Sequence, residues 1–271
     1  MGSVELVVTD LDGTLWAYDS VHQPHEATLA AWHELERRGI PVLVATGRRV
    51  TSTRDPLAAL GLAPSAVVLN GSLALDLATG ELFHRHHYEP DAAVAVLAAF
   101  RAHGLDPCIY VDHADIDAYV SDEPSTSPEH LAAMGARACP ADLDAVVTSA
   151  SVLSFGVFGH DADVLALVAA DMDATHSTPM ILTDMWSAGS ALAVAPFGLS
   201  KWTGVLAYCA LHDIDPDRVL AIGDEVNDVE LITRAAIGVA VADAPPTVRA
   251  AADHEVPPAS EGGWAEILDL V

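Results

Sequence analysis

The sequence predicts an α/β protein: a doubly wound parallel sheet with a second, α+β domain inserted into it. Two patterns carry that prediction. Short Val- and Leu-rich runs, 42–45 and 219–222 among them, alternate with Ala-rich helical stretches towards both ends of the chain. Alternation of this kind builds a parallel sheet covered by helices on both faces. Between the two ends, residues 84–182 change character, with paired short strands, a Pro-flanked loop and an alternating run. The expected organisation is therefore a discontinuous core domain of residues 1–83 and 183–271, with residues 84–182 as the insert. A length of 271 residues suits one large or two modest domains, and 51% hydrophobic against 19% charged residues excludes wholesale disorder.

Taken in order, residues 5–9 (Glu-Leu-Val-Val-Thr) read as a buried strand, 28–38 as a helix closed by Gly39, 41–45 as the next strand and 66–69 as a third. In the insert, 91–103 is an amphipathic helix closed by Gly104, and 107–111 and 117–120 pair as short strands. Residues 123–128 form a loop with proline at both shoulders, 151–158 alternates as a half-buried antiparallel strand, and 161–173 is a helix. A last strand pair falls at 179–183 and 191–195. The chain then gives a helix at 200–212, a strand at 218–222, a helix at 226–235 and a strand at 237–241. No internal repeat or low-complexity segment interrupts the pattern.

Thirty-nine acidic residues face twelve basic ones, for a net charge of −27. That charge repels phosphate backbones and anionic membranes, so neither nucleic acid nor a membrane is an expected partner. The acidity itself reads as solubility or salt adaptation, and the Ala-rich, Lys-poor composition equally fits genome base bias. The longest apolar runs, such as 92–100, fall well short of the ~20 residues a bilayer span needs. The first residues carry neither the basic start and apolar stretch of a signal peptide nor a Ser or Thr at position 6 for myristoylation. Cys108, Cys139 and Cys209 are odd in number and scattered, which argues against a disulfide framework and for a reducing cytoplasm. A cytoplasmic monomer or homodimer is expected. The thirteen histidines, His84, His86 and His87 included, form no metal-ligand spacing and read as surface residues.

Chemistry concentrates at the predicted strand ends, where open parallel sheets bind ligands. The first strand runs into Asp10-Leu11-Asp12-Gly13-Thr14. Two carboxylates this close repel unless a cation lies between them, and a hard divalent ion such as Mg²⁺ takes oxygen ligands. Asp10 then suits a nucleophile towards phosphorus; the plainer alternative is an Asp-rich turn. The second strand ends in Thr46-Gly47-Arg48. The Thr46 hydroxyl and the Gly47 amide are placed to donate to phosphoryl oxygens, or they simply end a strand. Arg48 suits a phosphate or a surface carboxylate equally. Lys201 opens a helix after Ser200, where the helix dipole disfavours a cation, and it is the only lysine of the chain. A compact ammonium there suits a place where the planar guanidinium fork does not fit, between Asp10 and an incoming phosphate. The strand at 218–222 delivers Gly223-Asp224, with Asn227 and Asp228 following. Asp224 suits a metal ligand, and Asn227 and Asp228 suit groups that orient waters or Lys201; an Asp-capped helix is the alternative.

Together these three strand ends and the helix start at Lys201 resemble the four motifs of the haloacid dehalogenase superfamily of phosphotransferases. The resemblance covers nearly the whole chain. The large insert between the second and third motifs, Leu69-Asn70-Gly71, and 252–254 with 261–263 are similar to its Cof-type (class IIB) branch. The resemblance implies a Rossmann-like core with an inserted cap that closes over the site, excludes water and selects the substrate. It implies that Asp10 attacks the phosphoryl group and that Asp12 protonates the leaving oxygen and then activates water. Thr46, with Leu11, Gly47, Arg48 and Asn227, would bind the phosphoryl group, and Lys201 would hold nucleophile and phosphate together. Mg²⁺ would be held by the Asp10 side chain, the Asp12 backbone carbonyl and Asp224, with Asp228 close by. The departures are minor: Leu231 stands where relatives often carry methionine nearby, and Asp184, Met185 and Trp186 are unfamiliar, reading as core or as pocket lining.

The function implied is a Mg²⁺-dependent phosphatase acting on a small phosphorylated metabolite, a sugar phosphate above all. A phosphomutase sharing the aspartyl-phosphate step, and a catalytically silent metabolite-binding sensor, are the alternatives. Ion pumps share the first motif but need membrane helices, and two-component receiver domains are far shorter.

Overall fold

The computed structural model describes residues 4–184, 187 and 189–271. The chain divides into two compact units, Met1–Arg85 with Ser200–Val271, and His86–Leu199.

Along the first unit run β1 (Leu6–Thr9), α1 (Glu26–Arg38), β2 (Val42–Ala45), α2 (Val50–Ala59), β3 (Ser65–Val68), β4 (Leu73–Asp76) and β5 (Leu82–Arg85). The second unit contributes α3 (Pro90–Ala102), β6 (Cys108–Val111), β7 (Ala118–Val120), α4 (Pro128–Met134) and β8 (Ala138–Pro140). It continues with α5 (Leu143–Ser149), β9 (Val152–His160), α6 (Ala162–Asp171), β10 (Ser177–Thr183) and β11 (Ser190–Pro196). The first unit resumes with α7 (Lys201–His212), β12 (Val219–Gly223), α8 (Val229–Arg234), β13 (Ile237–Val241) and β14 (His254–Val256).

In the first unit the strand order is β14-β13-β12-β1-β2-β3-β4-β5. All neighbours from β14 to β3 are parallel, and β4 and β5 add an antiparallel edge. β1, β2 and β12 are buried throughout, which explains their near-continuous aliphatic sequences. Leu6 and Val8 face Trp202, Val205 and Cys209 of α7 on one side. On the other side α1 packs against the C-terminal turns, where Trp32 stacks on Trp264 with ring centroids 6.0 Å apart. Two layers of helix thus close both faces of the sheet and leave its carboxyl edge to the loops.

The second unit is a six-stranded sheet of order β10-β11-β9-β6-β7-β8, antiparallel except for the β7–β8 pair. Phe100, Val152, Phe155, Leu165, Leu192 and others form its own core with α3, α5 and α6.

Four expectations need correction. The return to the first unit comes at Ser200 and not at residue 183, because β11 pairs along its length with both β9 and β10 and so belongs to the second unit's sheet. β9 is buried on both faces over most of its length, because it is an interior strand, between β11 and β6. Residues 226–235 do not form one helix: a 3₁₀ turn at Val226–Asp228 precedes α8, tightened by the Asp228 carboxylate, which accepts the Asp224 and Glu225 N–H groups. His130 is not a surface residue. It is buried, 2.7 Å from the Tyr110 hydroxyl and stacked on Phe158 at 3.7 Å. Met185 and Trp186 lie outside the described residues, whereas Asp184 is buried and accepts the Ser187 hydroxyl at 2.5 Å.

Candidate active site

The loop after β1 folds back on itself. The Leu11 carbonyl accepts the Thr14, Leu15 and Trp16 N–H groups, and Gly13 N–H donates to the Trp16 carbonyl at 2.8 Å. Gly13 sits at φ 74°, and a Cβ there would fall 2.2 Å from Asp224 Oδ2. Only glycine lets this loop lie against the end of β12. At that end Gly223 repeats the device, since a Cβ would lie 2.4 Å from the Asp228 carboxyl carbon.

These close approaches bring Asp10, Asp224 and Asp228 together, with one carboxylate oxygen of each within 4.8 Å of the others. Lys201, 1% exposed, reaches into the group from the first turn of α7. Its ammonium lies 2.9 Å from Asp10 Oδ2 and 2.7 Å from Asp228 Oδ1. Burial by itself would lower the Lys201 pKa, but the Asp10 and Asp228 charges outweigh it and hold the ammonium above its ordinary range. Asp10 moves the other way. Burial raises its carboxyl, Lys201 pulls it back and the Asp228 and Asp12 charges add to the rise, which together bring it to about 7. Burial, with Asp10 and Asp228 beside it, also holds Asp224 well above the usual carboxylate range. Three buried carboxylates thus share a single ammonium, which favours a further cation among them.

The hydrogen bonds divide the labour. Asp10 Oδ1 is buried and has no partner among the described residues, while Oδ2 is pinned by Lys201. Asp224 accepts Thr14 Oγ1 at 2.6 Å and the Tyr18 hydroxyl at 2.7 Å. Asp228 spends its oxygens on Lys201 and on two backbone N–H groups, which makes it a keeper of Lys201 and of the turn. Oxygen donors at close range, one of them unpartnered, fit a hard divalent cation such as Mg²⁺.

The Thr46–Arg48 loop is held from β3's end. Leu69 and Asn70 adopt left-handed φ values of 49° and 53°. Their N–H groups donate to the Arg48 and Thr46 carbonyls at 2.9 and 3.1 Å. Asn227 donates to Asn70 Oδ1 at 2.9 Å, so its amide braces this loop, and Lys201 is oriented by Asp10 and Asp228 instead. Thr46 is buried, and its Oγ1 accepts the Arg48 N–H at 3.3 Å. Arg48 lies on Asp12.

Two aromatic residues escaped sequence reasoning. Trp16 donates its indole N–H to Asp12 Oδ1 at 2.8 Å, and Tyr18 caps Asp224. Aromatic side chains read as packing, and nothing in the sequence marks their polar tips. Asn70 did carry a signal, because asparagine is among the few residues that tolerate a left-handed turn.

A family model for haloacid dehalogenase-like hydrolases matches residues 7–268. An HMP-PP phosphatase of Cronobacter sakazakii is 28% identical over 90% of this chain and 86% of its own length. A phosphoglycolate phosphatase of Methanopyrus kandleri is 27% identical over 92% of this chain and 88% of its own. Among solved structures, a phosphatase of the haloalkanoate superfamily from Bacteroides thetaiotaomicron superposes with a TM-score of 0.78 at 18% identity, covering 99% of this chain and 95% of the other. A sugar phosphatase of subclass IIB gives a TM-score of 0.78 at 21% identity, covering 98% of both chains. The chain belongs to the haloacid dehalogenase-like hydrolases.

Proposed function

We propose that the protein is a Mg²⁺-dependent phosphomonoesterase acting on a small phosphorylated metabolite, a sugar phosphate above all, through an aspartyl-phosphate on Asp10. The observation that carries this reading is Asp10 itself. One carboxylate oxygen is held by Lys201, and the other is buried and has no partner among the described residues. A carboxylate so restrained is an oriented nucleophile.

Asp10 attacks phosphorus, and the P–O bond to the leaving group breaks as Asp12 gives that oxygen a proton. Asp12 then takes a proton from the water that attacks the aspartyl-phosphate, and inorganic phosphate leaves with Asp10 restored. Lys201 offsets the charge that Asp10 and the phosphoryl group bring together, and Thr46 Oγ1 and the Gly47 amide are the donors for the phosphoryl oxygens. A loose phosphoryl-transfer transition state asks for positioning and charge neutralisation above all. Asp10, the Asp12 backbone carbonyl and Asp224 would hold Mg²⁺, with Asp228 beside them, and the cation would draw charge from the phosphoryl oxygens. The names of the relatives support the phosphatase reading, since they include phosphatases of HMP-PP, phosphoglycolate and sugar phosphates.

The test is phosphate release from a panel of sugar phosphates, nucleotides and pyridoxal phosphate, with and without Mg²⁺. Mg²⁺-dependent turnover that falls by roughly 10³-fold or more in Asp10→Asn is expected, as for loss of a covalent nucleophile. Undiminished turnover in that variant would refute the aspartyl-phosphate route.

A further inference from the structure

Asp12 is the most heavily restrained carboxylate of the site outside the Lys201 cluster. Arg48 Nε donates to its Oδ2 at 2.5 Å and Arg48 Nη2 to its Oδ1 at 2.6 Å, and the Trp16 indole N–H reaches the same Oδ1 at 2.8 Å. The remaining guanidinium nitrogen, Nη1, is used as well, donating to the Ser52 carbonyl at 2.9 Å. Both charged side chains are withdrawn from solvent, at 9% exposed for Arg48 and 11% for Asp12. Trp16 is fully buried, the Arg48 guanidinium lies 5.5 Å from its ring centroid, and His22 packs edge-on against it at 5.4 Å. The indole is also fixed from below, because Asp12 and Trp16 form a backbone bridge and Gly13 N–H donates to the Trp16 carbonyl.

We propose that Trp16 and Arg48 form a clamp that sets the orientation of the Asp12 carboxylate for proton transfer, and that Arg48 is a positioning residue and not a phosphate contact. The proposal rests on the phosphatase reading above. Its geometry is specific. The two-pronged pairing of a guanidinium with a carboxylate fixes the carboxylate plane. The indole N–H then decides which oxygen points which way. Each carboxylate oxygen has about two acceptor positions. Oδ1 fills both with Nη2 and the indole, while among the described residues Oδ2 receives only Nε. Oδ2 is therefore the oxygen that passes its proton to the leaving group as the P–O bond breaks and takes one back from the attacking water. Three of the five Arg48 N–H donors are committed to Asp12 and the Ser52 carbonyl, so moving the guanidinium onto a phosphoryl oxygen would loosen its hold on the general acid.

The test compares Trp16→Phe and Arg48→Lys with wild type on two probes, p-nitrophenyl phosphate and β-glycerophosphate, in Mg²⁺. The value of kcat/KM reports steps up to phosphoryl transfer. A nitrophenolate leaves without a proton, whereas an alkoxide needs one. A misplaced Asp12 therefore lowers kcat/KM for β-glycerophosphate by roughly tenfold in Trp16→Phe and roughly 10²-fold in Arg48→Lys, with a much smaller loss on p-nitrophenyl phosphate. Inhibition by inorganic phosphate stays within about twofold of wild type. Partial unfolding would depress both substrates alike, so equal losses, like no loss at all, overturn the clamp. Inorganic phosphate that binds markedly more weakly to Arg48→Lys also overturns it and returns Arg48 to the phosphoryl group. A wild-type protein that hydrolyses neither probe nor any metabolite of the panel overturns the phosphatase reading, and the clamp with it. An active wild type with unaltered variants overturns the clamp alone.

Discussion

At the scale of single residues, the site is a problem of one cation and several anions. Lys201 is the only lysine of the chain and is buried between Asp10 and Asp228. Removing its charge leaves both carboxylates uncompensated in a low-dielectric site. Lys201→Met is expected to lower stability by roughly 3–5 kcal/mol at pH 8, the usual result of deleting one partner of a buried ion pair, and to abolish turnover. Urea unfolding followed by circular dichroism measures the first, and a change within experimental error would mean that Asp10 and Asp228 do not depend on the ammonium. Tyr18 poses a finer question. Its hydroxyl donates to Asp224 Oδ2, and burial beside that carboxylate holds its pKa well above the ordinary phenol value. The hydroxyl stays a donor at any working pH and orients Asp224. Loss of a hydrogen-bond partner that orients a ligand weakens metal binding by ~10–100-fold. Calorimetric titration of Tyr18→Phe with MgCl₂ is therefore expected to give a Kd about tenfold above wild type. Tighter binding would mean that the hydroxyl competes with the cation.

At the scale of elements, what the sequence reveals depends on who supplies the cause of the structure. β13 spans Ile237–Val241, the residues expected for it, because a strand buried in a parallel sheet must be a short aliphatic run. β5 (Leu-Phe-His-Arg) is an edge strand with only part of its surface covered, so its pairing with β4 leaves no hydrophobic signature. The short helices α4 and α5 leave no signature for a different reason: they are seven residues each, too short for a periodicity to emerge. The site divides similarly. Asp10, Asp12 and Asp224 are conspicuous as carboxylates at strand ends and Lys201 as the only lysine, opening a helix against its dipole, whereas Trp16 and Tyr18 acquire their partners only when the loop after β1 folds back. Glycines inside elements carry a packing message that the sequence does not spell out. Gly204 lies on α7 with Val67 of β3 against it, and a Cβ would meet Val67 Cγ1 at 2.5 Å. Gly204→Ala gains up to ~1 kcal/mol of helix propensity and is expected to lose about 1–3 kcal/mol to overpacking. The net sign should be destabilising in urea unfolding, and adding Val67→Ala should recover part of the loss. A more stable Gly204→Ala would show that α7 shifts off the sheet at no cost.

At the scale of the whole molecule, two sources of negative charge act against the folded state and can be separated. The first is the net charge of −27, whose self-repulsion is relieved by any salt, with a screening length of ~8 Å at physiological ionic strength. The second is the buried group of Asp10 and Asp224, whose carboxyls are both raised, Asp10 to about 7. A carboxyl raised in the folded state contributes stability that is complete below its ordinary value near 3.8 and is lost as pH climbs through the raised one. The metal-free protein should therefore lose stability from pH 5.5 to pH 8. NaCl acts on the surface at both pH values. On the proposed function Mg²⁺ would act on the buried carboxylates and would need them ionised, so its effect should grow with pH. Millimolar MgCl₂ is expected to raise Tm by roughly 3–8 °C at pH 8 and by clearly less at pH 5.5, measured at constant ionic strength. Asp224→Asn should lose the Mg²⁺ increment and keep the NaCl one. An increment that is the same at both pH values and survives Asp224→Asn would assign the cation to the acidic surface, leaving Lys201 as the positive charge that holds Asp10 and Asp228.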